Sequence, residues 1–285
     1  MFAVLAVIAA VLIGLRGEGI VGAGAHVTRV RIDGLIADED TLSEQVRDLA
    51  TKRAVKAVII TIDSPGGGVA AGAELHEAIA AVAARKPVVA VMGGIAASAG
   101  YMIATPAARI FARDGTLTGS IGVYIETPEI SGLLDKLGIS TEVIKSGPLK
   151  DQPSLTEKLT PAGRQMLQGL VESYYDQFVA MVATGRHMAP DKVRTLADGR
   201  PYTGQQALKL GLVDQIGGEH AARLWLASNR GVSDKLPTED LGQPDLARRA
   251  LSSSLAAAAG LIWKSLFSQG VILDEIWSLW QRSAA

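Results

Sequence analysis

The sequence predicts an α/β fold: a mainly parallel sheet with flanking helices. Two apolar runs, KAVIITID (Lys56 to Asp63) and PVVAVM (Pro87 to Met92), are short and nearly uninterrupted, as strands buried on both faces of a sheet require. Each is followed by a helical stretch, which gives the strand–helix–strand–helix order of a parallel sheet. The chain breaks SPGGG and GGIAASAG fall at the carboxyl ends of those two strands, where open α/β sheets place their sites.

The elements follow in order. FAVLAVIAAVLIGL, Phe2 to Leu15, is apolar throughout but falls short of the roughly 20 residues of a full membrane span, and it lacks a basic start and a small-residue cleavage site. It reads as a membrane anchor whose first part precedes Met1, as an uncleaved signal-like segment, or as a buried core helix. GEGIVGAGA then reads as a linker. His26 to Ile36 alternates like a strand, Thr41 to Val55 is helical, Lys56 to Asp63 is a strand, and an alanine-rich helix runs from Val69 to Ala84. After the strand Pro87 to Met92, the Ser98 segment begins a further helix. A short strand (Arg109 to Ala112), the polar turn DGTLTGSIGV, a helix near Ile130 to Leu137 and a strand (Thr141 to Lys145) precede the irregular stretch Ser146 to Pro161. A long helix, Ala162 to Thr184, follows. The expected organisation is an anchor-like segment at 1–16, a linker at 17–25, a main α/β domain at 26–228, a polar linker at 229–250 and a tail at 251–285 carrying three of the four tryptophans.

Composition narrows the function. The chain has 28 basic and 29 acidic residues, so no extensive basic face invites nucleic acid. With no cysteine, thiolate nucleophiles and thiolate metal sites are excluded. No metal site and no cofactor is expected.

One hydroxyl, Ser98, stands among Gly93, Gly94, Ala96, Ala97, Ala99 and Gly100. A nucleophilic serine needs a tight strand-to-helix turn, small neighbours and amides aimed at the developing oxyanion; the same residue could equally be a helix N-cap. Three successive glycines in DSPGGG, Asp63 to Gly68, present N–H groups without side chains, which suits an oxyanion hole, a phosphate cradle or a plain turn. No Gly-Lys-Ser/Thr follows, so a Walker loop is excluded. The histidines, His26, His76, His187 and His220, form no recognisable triad with Ser98. A lysine can serve as base if it is desolvated, and lowering its pKa from about 10.4 to roughly 7 or 8 takes on the order of 3 to 5 kcal/mol. Lys136, Lys145, Lys150 and Lys158 are the candidates.

Five ordered segments, DSPGGG, GGIAASAGYMIA, TLTGSIGV, IKSGPLKDQPS with LTPAGRQML, and DGRPYTGQQALKLGLVD, resemble the signal peptide peptidase A (SppA) family of membrane-anchored serine proteases. The likeness runs from about Val27 to Ala227. It implies a Clp-protease/crotonase-like fold, one catalytic domain per chain, a homo-oligomeric ring, and digestion of signal peptides by a Ser–Lys dyad in an extracytoplasmic domain on a single-pass anchor in the cell membrane. Carried over residue by residue, it makes Ser98 the nucleophile and Lys150 the general base. Ser120 becomes the hydroxyl that positions the lysine, and Gly66, Gly67 and Ala99 become oxyanion donors. Asp151, beside the base, must point away for the lysine to lose its proton. The small residues around Ser98 suggest pockets for leucine, alanine and similar side chains. Competing readings are a same-fold protease acting on another membrane or capsid protein, a crotonase-like acyl-thioester enzyme, and a non-catalytic membrane scaffold.

Overall fold

The computed structural model describes residues 24–37 and 40–242, so the expected anchor at 1–16 and tail at 251–285 lie outside the described residues. Strand β1 (His26–Ile36) is followed by α1 (Asp40–Asp48), β2 (Val55–Gly67), α2 (Val69–Ala83), β3 (Val88–Ala97) and α3 (Ala99–Met102). Then come β4 (Arg109–Ala112), β5 (Leu117–Gly119), α4 (Ser131–Lys136) and the long α5 (Pro161–Gly185). The described chain closes with α6 (Pro190–Leu196), β6 (Pro201–Thr203), α7 (Gly204–Leu210), β7 (Gln215–Ile216), α8 (Glu219–Arg230) and β8 (Thr238–Asp240). The sheet runs in the order β6-β5-β3-β2-β1-β8, with β4 pairing β3 and β7; only the β5–β6 pair is antiparallel.

The period of two in each central strand explains the apolar runs. Val30, Ile32, Val58, Ile60, Ile62, Val88, Ala90 and Met92 face one core, under α1, α2 and α5. Their alternates Val27, Ala57, Ile59, Val89 and Val91 face a second core closed by Ala222 and Leu226 of α8. Both faces are therefore apolar. Burying each of these large side chains contributes about 1.5 to 3 kcal/mol before conformational entropy is counted.

The structure corrects several boundaries. Helix α1 ends at Asp48 rather than near Val55, because residues 49–51 form tight turns (Leu49 N–H to Val46 O at 3.0 Å, Ala50 N–H to Arg47 O at 3.1 Å) that return the chain to the sheet. Strands β2 and β3 run four and five residues beyond the apolar runs, into the glycine and alanine segments. Thr141 to Lys145 forms no strand: among the described residues none pairs with it, and Ile144 is 94% exposed. The stretch 229–250 is not wholly a linker, since Thr238–Asp240 inside it pairs in parallel with Val27–Arg29 and the compact unit ends at Leu241. The polar composition of that strand suits an edge position, and Asp240 receives Arg29 at 3.0 Å and Arg31 at 3.3 Å.

A nearly buried ion pair joins the end of α5 to the β7 side of the sheet. Arg186 donates to Asp214 through both terminal nitrogens and to Gly211 O through Nε at 3.0 Å, while Asp214 Oδ2 also accepts the Ile110 N–H at 2.7 Å. Arg186→Ala leaves that carboxylate without its cation. The expected loss is about 3 kcal/mol, roughly 6 to 12 °C in a thermal melt, with Arg186→Lys losing less.

Candidate active site

The carboxyl ends of β2 and β3 meet at Ser98. Strand β3 stops at Ala97, α3 starts at Ala99, and Ser98 makes the turn between them with φ 53° and ψ −122°, a conformation a side-chain-bearing residue rarely adopts. Its N–H donates to Gly119 O at 2.9 Å, and its carbonyl accepts from Tyr101 and Met102. Although Ser98 occupies the N-cap position of α3, its side chain makes no capping hydrogen bond. Among the described residues the half-buried hydroxyl has no hydrogen-bond partner, and it does not cap the helix.

The glycine turn lies directly against it. Gly66 has φ +114°, and a Cβ there would stand 2.7 Å from Ser98 Cβ and 3.1 Å from the Ala99 nitrogen. A Cβ on Gly67 would fall on Ile36 O. Of the three donors expected from sequence, Gly66 lies against Ser98, Ala99 follows it in the chain, and Gly67, packed on the Ile36 backbone, lines the same cleft; their amides differ. The Gly66 N–H donates to the buried Ser64 Oγ at 3.1 Å, whereas Ala99 is the first residue of α3, a position whose N–H has no partner within the helix.

Ser98, Ser120 and Gly66–Gly68 share a cleft of about 870 Å³. One wall is a face of α5, formed by Gln168, Val171, Glu172 and Tyr175 at the i, i+3, i+4, i+7 spacing of a single helical stripe. Leu35, Val123 and Tyr124 add apolar surface, while Glu172 and Asp198 add two carboxylates that small-residue composition did not foretell. Ser120, at φ 49°, donates its N–H to Arg200 O at 3.1 Å.

The base is placed differently. Lys150 is exposed, on a turn where its N–H donates to Gly147 O at 3.2 Å, and it does not line the Ser98 cleft within the single chain. Asp151 is turned toward Lys145, at 3.6 Å, and Lys145 also holds Glu157 at 2.9 Å. The Glu157 hydrogen bond raises the Lys145 pKa, and Lys145, held by Glu157 and Asp151, does not line the Ser98 cleft. None of the four histidines lines the cleft; burial lowers His76, which faces a different cavity beside Arg186.

Lys150 belongs to an arm, residues 122–160, in which Gln152 alone is buried. Gln152 Oε1 accepts from the N–H and the hydroxyl of Thr160, at 3.0 and 3.2 Å, and Thr160 Oγ1 in turn caps α5 by accepting the Gly163 N–H at 3.0 Å. That latch, which the sequence reading did not single out, fixes the lysine turn to the start of the helix that walls the cleft. The rest of the arm exposes several large apolar side chains: Tyr124 is 83% exposed, Leu137 64% and Leu133 56%, and α4 buries no residue.

Residues 80–233, more than half of the chain, match the family model described as peptidase family S49. The chain belongs to peptidase family S49. A provisionally named protease of Synechocystis sp. is 42% identical over 76% of this chain and 79% of its own length. A provisionally named signal peptide peptidase SppA of Enterococcus faecium is 37% identical over 73% of the chain, and the chloroplastic serine protease SPPA of Arabidopsis thaliana is 35% identical over 93%. The chain spans 64% of the Enterococcus relative and 40% of the Arabidopsis one. Residues 28–113 also match the Clp protease family model, in keeping with the mostly parallel sheet and flanking helices of a Clp-protease-like fold. Membership of the SppA-type S49 family makes the chain a serine-type peptidase and sets aside the acyl-thioester and scaffold readings. Among the described residues no helix is long and apolar enough to cross a membrane.

Proposed function

We propose that the chain is a Ser–Lys endopeptidase that degrades remnant signal peptides at the cell membrane, its catalytic domain outside the cytoplasm and anchored through the apolar segment 1–16. The observation that carries the reading is Ser98: a strained serine at a strand-to-helix turn, its hydroxyl unpartnered, pressed against a glycine turn in an open cleft. Strain at such a position is retained where a function fixes it.

In this mechanism Ser98 Oγ attacks the scissile carbonyl while neutral Lys150 Nζ takes the hydroxyl proton. The tetrahedral oxyanion is held by the Ala99 and Gly67 amides. Gly66, whose N–H is engaged by Ser64, keeps the space clear beside the nucleophile. As the C–N bond breaks, the lysine proton passes to the leaving amine. Water, deprotonated by the same lysine, then attacks the acyl ester and releases Ser98. Ser120, in the cleft beside Ser98, orients the lysine amine. The apolar walls suit the leucine- and alanine-rich cores of signal peptides.

Assembly completes the site in this reading. The uncovered apolar arm packs on a second copy of the chain, in a homo-oligomeric ring, and the same contact brings Lys150 to a Ser98 hydroxyl. Exposed apolar surface of this extent on a folded chain marks an interaction site.

The test is labelling of full-length protein with a fluorophosphonate, compared with Ser98→Ala, followed by digestion of a synthetic signal peptide and of an unrelated folded protein. Wild-type labelling at Ser98 and selective loss of the signal peptide are expected. Labelling that persists in Ser98→Ala would sink the nucleophile assignment. Labelled enzyme that leaves the signal peptide intact would sink the substrate assignment alone.

A further inference from the structure

We propose that Asp63 is a positioning residue whose carboxylate staples a bulge in β3 and so sets where Ser98 stands against Gly66; the proposal rests on the reading of Ser98 as nucleophile. The register of the two central strands carries it. Ile62 pairs with Met92 and Ser64 with Ala96, so β2 uses one residue, Asp63, where β3 uses three, Gly93, Gly94 and Ile95. Without those two extra residues the end of β3 would move by roughly 7 Å along the strand, and Ser98 would miss the glycine turn.

A bulge of this size takes amides out of the ladder, and Asp63 replaces one of the lost contacts. Its Oδ1 accepts the Ile95 N–H at 3.0 Å. The two residues it lies against are glycines: a Cβ on Gly93 would come 2.9 Å from Asp63 Cγ, and one on Gly94 3.6 Å from Oδ1. The other side of the bulge is tied as well. Thr116 Oγ1 donates to Gly93 O at 2.7 Å, and Thr118 Oγ1 donates to Ala96 O at 2.8 Å.

The bulge is also where β3 changes neighbour. Val89–Val91 pair with β4, whereas Ile95–Ala97 pair with β5, and the Ser98 N–H to Gly119 O bond extends that second ladder. Asp63 stands three residues before Gly66, and Ile95 three before Ser98. One side chain therefore links the strand that becomes the glycine turn to the strand that becomes the nucleophile. Its carboxylate faces the groove of Arg29, Arg31 and Arg113 and does not line the cleft, so any effect on Ser98 passes through the backbone.

The experiment is a double-mutant cycle in the full-length protein, measuring the rate of fluorophosphonate labelling at Ser98 together with kcat and KM for a peptide. Asp63→Ala is expected to slow labelling and kcat about tenfold with KM nearly unchanged. Asp63→Asn, which keeps an acceptor oxygen, should recover to within about twofold of wild type. Gly93→Ala should impair labelling through its contact with the Asp63 side chain, and in Asp63→Ala/Gly93→Ala, where only the 3.1 Å approach to the residue 63 Cβ remains, the loss should be clearly less than the product of the two single losses, the signature of coupled positions. A merely stabilising role would shift the melt of Asp63→Ala without the kcat loss or the cycle coupling. Labelling of Asp63→Ala at the wild-type rate overturns the inference and leaves the nucleophile reading standing. Wild type that is not labelled at Ser98 overturns both. Should Asp63→Ala fail to fold, Gly93→Ala decides: a folded variant labelled at the wild-type rate overturns the proposal.

Discussion

Lys150→Ala yields a folded chain whose peptide turnover falls by about a thousandfold or more, the upper part of the range for removing a general base. The substitution costs little stability, because Lys150 is exposed and the fastening of its turn runs through Gln152 rather than through the lysine. Two readouts separate loss of a base from loss of structure. Fluorophosphonate labelling of the wild type should proceed readily, while Lys150→Ala, with an unchanged circular dichroism spectrum, labels slowly. Labelling should also rise with protein concentration in the wild type if, as proposed above, a second copy covers the exposed apolar side chains of the arm and brings Lys150 to Ser98, since within its own chain Lys150 does not line the cleft. Full turnover by a clean Lys150→Ala preparation would remove the dyad. Labelling independent of concentration in a monomer would remove the role of assembly.

Gly66→Ala is the second large effect, with activity reduced by at least about a hundredfold, comparable to losing an oxyanion donor. Two costs coincide at this position. At φ +114° an alanine is strained in its backbone, and its Cβ would lie 2.7 Å from Ser98 Cβ, so either the serine moves or the peptide turns and abandons the Ser64 hydroxyl. The strain is worth roughly 1 to 3 kcal/mol, which a core buried on both sheet faces can absorb. Circular dichroism and a melting curve should therefore show a folded, somewhat less stable protein. Wild-type kcat/KM in Gly66→Ala would mean that the glycine turn has no part in the chemistry. Gly115→Ala is the control, since a Cβ there meets nothing within 4 Å.

The relation between sequence and site is uneven for a physical reason. Ser98 and the glycines of DSPGGG were legible because each stands at the end of a strand, and the uninterrupted apolar runs of Lys56–Asp63 and Pro87–Met92 are a local pattern. The full length of β3 was not legible: GGIAA has no alternation to read, and its three-against-one register is tied by hydrogen bonds from Asp63, Thr116 and Thr118, which are distant in sequence. β8 was hidden for a related reason, since a polar edge strand becomes a strand only when β1 offers it a free edge.

Lys150 shows the limit most clearly. Family resemblance marks it as the base, and the sequence around it determines a latched turn through Gln152 and Thr160. Proximity between that turn and Ser98 is written in no local pattern, and within its own chain the lysine does not line the Ser98 cleft. By itself the sequence determined the alternating strands, the glycine turn and the serine at its end, because burial on two faces and freedom from Cβ are properties of single residues. Only the tertiary structure decided the strand register, the unpartnered state of the Ser98 hydroxyl, the engagement of the Gly66 amide by Ser64 and the place of Lys150 outside the cleft, because each is a distance between residues that the chain brings together through packing.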